Sequence, residues 1–295
     1  MKALFTGVLT GSLLLLNTVV GIVPMMLIAI IKLVVPIKPF RRRCSLIVVW
    51  IAEIWAEAAK QMFNRLTRID WQVDPLPELG RHQSYLLISN HQSWVDIPAL
   101  VHVFNRKVPF YRFFLKKQLI WVPLLGLAFW ALEFPFMRRY SKEVLERKPH
   151  LKGKDLEATR LACERFRDMP VTLINYPEGT RFRKYKHEQQ QSPYRNLLRP
   201  KAGGMAFVLN SMGDQIDHIL DVTIHYPDGV PSFIDLLCGR IRTVTINVQK
   251  IPVKTEWRTM DYQNDEAYRA RFQQWVSELW QTKDDHLERL NQASA

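Results

Sequence analysis

Cysteine is scarce in this chain and poorly placed for chemistry. Three are present, Cys44, Cys163 and Cys238, far apart and in neither a CxxC pair nor a Cys/His cluster. Neither a disulfide framework nor a metal site is expected from them. No GxSxG nucleophile motif occurs anywhere, which argues against a serine acyl-enzyme. Internal repeats, low-complexity tracts, helix-turn-helix patterns, aromatic-basic stacking motifs and Arg-rich tails are also missing. Acidic residues are few: 28 Asp+Glu face 41 Lys+Arg, a formal net charge of +13. Such a balance favours an anionic partner, whether a membrane surface, a nucleic acid or a phosphorylated substrate. With no nucleic-acid signature in the chain, the first and third remain.

Charge is absent altogether from Ala3 to Ile31, a stretch longer than the roughly 20 apolar residues of a spanning helix. A cleaved signal peptide is the competing reading, but the run outlasts a typical apolar core and no A-x-A site closes it. As one helix it would be about 43 Å long against a hydrocarbon core of about 30 Å. It therefore tilts, or Gly21 and Pro24 break it into a hairpin that returns to its own side. Lys32, Lys38, Arg41, Arg42 and Arg43 follow it, with Lys2 alone before it. The positive-inside rule then puts the remainder in the cytoplasm, on the inner membrane if the cell is bacterial. Residues 1–40 read as a membrane anchor, integral or monotopic, and 41–295 as one domain.

That domain opens with an amphipathic helix over 44–63, suited to the protein surface or the membrane interface. Strands are predicted at Ile69–Val73, Tyr85–Ile88, Phe134–Arg138, Val171–Tyr176, Leu220–His225 and Val244–Val253. A buried or interfacial helix precedes Phe134, an amphipathic helix covers Asp155–Met169, and a long helix runs from about 265 to 292. A polar, basic loop occupies the stretch from Arg183 to Pro200, and Lys201 opens a short helix. Alternating strands and helices predict an α/β domain with a mostly parallel sheet flanked by helices.

The centre of this order is Ser84–Asp96, where an apolar strand ends and a helix begins. Five residues of regular helix turn about 500°, so His91 and Asp96 share a site only if His91 precedes the helix and Asp96 lies in its first turn. There Asp96 would fix the imidazole tautomer and leave the other nitrogen as a general base. Ser93 and Asp96 equally fit the Ser-x-x-Asp box that caps a helix. The spacing recurs at His150 and Asp155 in a polar segment without a strand to hold it. Arg139 and Glu178-Gly179-Thr180-Arg181 also follow strand-like runs, and in open α/β sheets ligands lie beyond the carboxyl ends of strands.

Asn90-His91-Gln-Ser93-Trp-Val-Asp96 resembles the NHxSxxD motif of the glycerolipid acyltransferases, the lysophospholipid or 1-acylglycerol-3-phosphate acyltransferase family. Tyr176–Arg181 is similar to its FPEGTR motif, with Phe182 where serine is common. Phe134–Arg139 resembles the intermediate arginine motif, without the usual preceding glycine, and Asp221–Pro227 the later block that ends in proline. The similarity covers about residues 80–230, and Phe272–Leu290 is similar to the extended, lysocardiolipin-type branch. The resemblance implies direct acyl transfer from acyl-CoA or acyl-carrier protein to the hydroxyl of a lysophospholipid at a bilayer, without a cofactor or metal. In that scheme His91 is the base, Asp96 orients it, and Arg181, Arg139 and the backbone at Gly179 hold the acceptor phosphate. Glu178, Thr180 and Pro227 belong to the binding motifs, and Lys201 is a further phosphate candidate. The alternatives are a different lipid or sugar acceptor, or a non-enzymatic, membrane-tethered binder of anionic ligands.

Overall fold

The computed structural model describes residues 1–137, 169–259 and 264–294, with positions 147, 161, 163, 164, 166 and 262 between them. Arg138, Arg139, His150 and Asp155 lie outside the described residues, as does most of the helix expected over 155–169.

Helix α1 (Lys2–Val34) runs unbroken through Gly21 and Pro24. The hairpin instead forms after it: residues 35–37 turn the chain, and Pro39 sits in the first turn of α2 (Lys38–Leu66), where a missing N–H costs nothing. This is longer than the amphipathic helix expected over 44–63. The two helices are antiparallel, since Asn17 Nδ2 donates to the Trp55 carbonyl at 3.1 Å and Lys32 Nζ to Ser45 Oγ at 2.7 Å. Gly21 is dictated by this packing, because a Cβ there would lie 3.0 Å from the Trp55 ring.

The chain continues through β1 (Asp70–Val73), β2 (Ser84–Ser89), α3 (Asp96–Phe104), β3 (Tyr111–Phe113) and β4 (Leu115–Lys116). Then come α4 (Leu125–Ala131), β5 (Phe136–Met137), β6 (Thr172–Asn175), α5 (Lys184–Gln190) and α6 (Ala202–Met212). Strand β7 (Ile216–His225), α7 (Phe233–Leu237), β8 (Thr243–Pro252), α8 (Glu256–Thr259) and α9 (Glu266–Ser294) complete it. Six strands form a sheet in the order β1-β8-β7-β2-β6-β3. Four of its five pairings are parallel and β7–β8 is antiparallel. The sheet is thus mostly parallel, as expected, with one antiparallel pairing that makes it mixed. β4 and β5 pair separately.

Strand β2 lies inside the sheet and is buried along its whole length, which is why its apolar run does not alternate. Its successive side chains serve opposite faces. Leu86 and Ile88 pack into a cluster with Met205 and Leu209 of α6 and Phe272 and Trp280 of α9. Tyr85 and Leu87 pack against Leu100 and Val103 of α3 and Phe63 of α2. Each such side chain contributes about 1.5–3 kcal/mol of burial. A third cluster joins Ile22, Met25 and Ala29 of α1 to Ala128 and Ala131 of α4.

Two expected elements differ in detail. The apolar stretch before Phe134 is a 3-10 turn (Lys117–Trp121) and then α4, not one helix, because Pro123 cannot continue the first into the second. The basic loop after Arg181 contains α5, a helix without the apolar stripe that periodicity detects. One of its residues is pinned from outside: His187 Nε2 meets the Tyr194 carbonyl at 2.6 Å.

Candidate active site

The carboxyl ends of β2, β6 and β7 lie side by side, and each delivers one part of the site. Beyond β2, Asn90 turns the chain without orphaning the backbone. Its side chain donates to the Ile224 carbonyl at 2.8 Å and accepts from the Ile224 N–H at 2.9 Å, riveting this turn to β7. His91 follows, and Asp96 opens α3. Their side chains meet at 2.7 Å, His91 Nδ1 to Asp96 Oδ2. An acceptor-only carboxylate fixes the proton on Nδ1 and leaves Nε2 as the basic nitrogen.

Asp96 is fully buried, and its lone pairs are well occupied. Besides His91, Oδ2 accepts the N–H groups of Gln92 at 2.8 Å and Ser93 at 3.0 Å. Oδ1 accepts the Tyr226 hydroxyl at 2.6 Å. Half of a capping box is therefore present, the Ser93 N–H to Asp96 bond. The reciprocal half is not, because Ser93 Oγ donates to the Pro231 carbonyl at 2.5 Å and accepts from the Val95 N–H at 3.1 Å. One face of the imidazole lies on Tyr176, ring centroids 4.0 Å apart. Burial, and then the nearby Asp96 charge, hold both tyrosine hydroxyls well above the ordinary phenol range.

From β6 comes Tyr176–Arg181. Gly179 closes a turn with its N–H on the Tyr176 carbonyl at 2.8 Å and has φ +70°, a conformation that disfavours any Cβ. Glu178 points inward and is fully buried. Its Oε1 accepts the His91 N–H at 3.0 Å and its Oε2 the Leu198 N–H at 3.1 Å. Burial pushes this carboxyl up to about 8, although both N–H bonds and the charge of Lys283 pull the other way. Glu178 is thus a brace for the His91 backbone rather than a ligand group facing solvent. The Phe182 N–H returns to the His91 carbonyl at 2.7 Å, so the two motifs are laced together from both sides.

Arg181 lies with its guanidinium 4.5 Å from the Trp94 ring centroid, and it makes no ion pair among the described residues. Thr180 Oγ1 accepts Lys186 Nζ at 2.5 Å. Lys201 precedes α6 and donates its backbone N–H to the Pro177 carbonyl at 2.8 Å. Lys201 lines a cleft of about 440 Å³ shared with Tyr194, Arg199, Tyr262, Gln273 and Ser277, a lining that includes neither His91 nor Asp96. Pro227 follows Tyr226 where the chain leaves β7 and is half-buried. The structure therefore brings His91, Asp96, Glu178, Gly179 and Arg181 together and leaves Lys201 and Pro227 at the margin. Arg139 lies outside the described residues.

Sequence reasoning missed Tyr226, Tyr176 as the ring under His91, and Lys283. Lys283 is a fully buried lysine of α9 whose Nζ lies 2.7 Å from Asp221 Oδ1. Tyr226 lies inside the Asp221–Pro227 block, but nothing in a single sequence pairs it with Asp96.

A family model described as Acyltransferase matches residues 71–226. The chain is 28% identical over 219 residues to the probable 1-acyl-sn-glycerol-3-phosphate acyltransferase 5 of Arabidopsis thaliana, covering 67% of this chain and 54% of that protein. Lysocardiolipin acyltransferase 1 of Danio rerio is 27% identical over 188 residues, 60% of this chain and 44% of that one. The chain thus spans about half the length of these curated relatives. The crystal structure of the 1-acyl-sn-glycerophosphate (LPA) acyltransferase from Thermotoga maritima has the same fold, TM-score 0.58 over 98% of both chains at 18% identity.

Proposed function

The chain belongs to the acyltransferase family, and on that premise we propose that it transfers a fatty acyl group from acyl-CoA or acyl-carrier protein to the free hydroxyl of a lysophospholipid such as 1-acylglycerol-3-phosphate. The observation that carries this reading is the His91–Asp96 pair at 2.7 Å, set where two strand-end motifs are laced together. Nε2 of His91 takes the acceptor's hydroxyl proton as the oxygen attacks the thioester carbonyl. Asp96, bonded to Nδ1–H, steadies the imidazolium that results. Collapse of the tetrahedral intermediate breaks the carbon–sulfur bond, and the proton on Nε2 passes to the departing thiolate. Atoms and charge balance without an acyl-enzyme. Arg181 has the planar fork that grips a phosphate bidentately, and its stacking on Trp94 limits the rotamers it must give up on binding.

The enzyme works at a bilayer. Helix α1 is long and apolar enough to cross a membrane, with Leu15, Leu16, Val20 and Leu27 among its exposed residues. It also touches the domain along its length. A Cβ on Gly7 would meet Cys238 Sγ at 2.6 Å, and Lys32 pairs with Glu133 beside α4. Those contacts are roughly 37 Å apart along the helix. A helix that hugs its own domain over that distance favours a monotopic hairpin on the cytoplasmic face over a perpendicular span.

The test is a pair of variants assayed with each substrate varied in turn. His91→Ala should abolish transfer while the protein still melts cooperatively. Arg181→Lys should lower acceptor kcat/KM by about ten- to a hundredfold, as loss of a charge-assisted hydrogen bond of about 1.5–3 kcal/mol implies. Donor KM should hardly move. Full activity in His91→Ala would remove the mechanism, and a defect confined to the donor would put the phosphate elsewhere.

A further inference from the structure

The segment from Tyr226 to Ile234 does two things that the reaction alone does not require. It is bolted to the turn that carries His91 and Asp96 at two places: the Tyr226 hydroxyl to Asp96 Oδ1 at 2.6 Å, and the Pro231 carbonyl to Ser93 Oγ at 2.5 Å. Yet its outer side is apolar and uncovered. Val230 is 49% and Ile234 63% exposed, in a loop and a helix that a capping box of Ser232 and Asp235 holds firmly.

What covers Ile234 follows from its place on α7. Residues 234, 237 and 238 share one face, at i, i+3 and i+4. The other two already face α1: Leu237 Cδ1 would lie 4.0 Å from a Cβ on Gly11, and Cys238 Sγ 2.6 Å from one on Gly7. Beside that contact α1 itself exposes Leu4, Phe5 and Val8. Ile234 thus extends the uncovered apolar surface of α1 onto the catalytic domain. The medium that solvates α1 reaches Ile234 and Val230.

We propose that the Val230–Ile234 rim is a second lipid-contact surface, seated in the bilayer next to the start of α1 and fastened directly to the turn that carries His91 and Asp96. This rests on the membrane reading above. The neighbouring ionised group is already paired, Asp235 with Ser232 and Arg240, and Asp228 is exposed at the start of the loop. Attraction to anionic headgroups is therefore not what the rim offers. It is an apolar contact, insensitive to salt, unlike one made by the basic surface.

The full-length protein, reconstituted in phosphatidylcholine vesicles with an acyl-CoA donor, provides the test. Val230→Asp/Ile234→Asp should lower kcat/KM tenfold or more for a long-chain lysophosphatidate presented in the vesicle. It should stay within twofold of the parent for a hexanoyl lysophosphatidate that is monomeric in water. Ile234→p-benzoylphenylalanine should give lipid photo-adducts at low and high salt alike, while Arg195→p-benzoylphenylalanine, on an exposed polar loop, should not. An equal change on the two acceptors overturns the proposal, as do adducts no more frequent at 234 than at 195. If the parent turns over neither acceptor, the proposed reaction is what fails, and the photo-adducts alone decide the surface.

Discussion

Asp96 serves two trades with one carboxylate. It ties the Gln92 and Ser93 N–H groups at the head of α3 and it bonds the His91 ring, so the contacts of the structural reading and those that the proposed chemistry needs fall on the same group. Tyr226 separates them experimentally. Tyr226→Phe leaves the two N–H bonds in place and removes only the donor on Oδ1. With one donor to Asp96 gone the imidazole is held less firmly in position, so kcat should fall several-fold while the melting temperature moves little. A purely structural hydroxyl predicts a lower melting temperature and an unchanged kcat. His91, Asp96 and Glu178 were legible in the sequence because their neighbours along the chain declare a strand end. Tyr226 was not, because its partner is 130 positions away and only the register of β2 against β7 brings them together. Glu178 was legible as a motif member but not in its role, since inward and outward side chains of a tight turn look alike in one sequence.

The C-terminal helix α9 carries the next surprise. A long helix is expected here from about 265 to 292, yet its buried face includes Lys283 and Asp284, residues that any pattern reading assigns to solvent. Lys283 Nζ bonds the Val222 carbonyl at 2.7 Å and Thr223 Oγ1 at 2.9 Å beside its ion pair with Asp221. Asp284 accepts the N–H groups of Arg195 and Asn196, each at 2.7 Å, and thereby steadies the loop whose Leu198 N–H caps Glu178. Removing one partner of a buried pair costs about 3–5 kcal/mol, whereas replacing both with apolar groups is often neutral. Lys283→Met should accordingly lower the melting temperature sharply, and Lys283→Met/Asp221→Leu should restore it. The restored fold will still lack the cation that draws the Glu178 carboxyl down. That group, at about 8 in the parent, then moves further up, and activity should be lost at a higher pH on acidification than in the parent. Equal pH profiles in the parent and the double variant would make the pair a matter of stability alone.

As an assembled molecule the chain packs α1 against the elements that follow it. Helix α1 covers Val48 and Ala52 of α2 and joins α4 in one apolar cluster. Deleting residues 1–37 should therefore do more than release a soluble enzyme. It should uncover this cluster, so that the remainder aggregates without detergent and melts well below the parent. A monodisperse, cooperatively melting truncation on size exclusion without detergent would show that the hairpin is dispensable to the core. The sequence revealed the apolar length of α1 but not its neighbours, because a residue facing lipid and one facing another helix are equally apolar.

The contacts of α1 at Gly7 and at Lys32 have a consequence for selectivity. A domain held at two points on one helix cannot roll about it. If α1 lies in the bilayer as proposed, Nε2 of His91 would ride at a set height above it, and the proposed acceptor would be gauged by the depth of its hydroxyl before it is touched. One whose headgroup raises or sinks that hydroxyl would have to leave its resting depth to react.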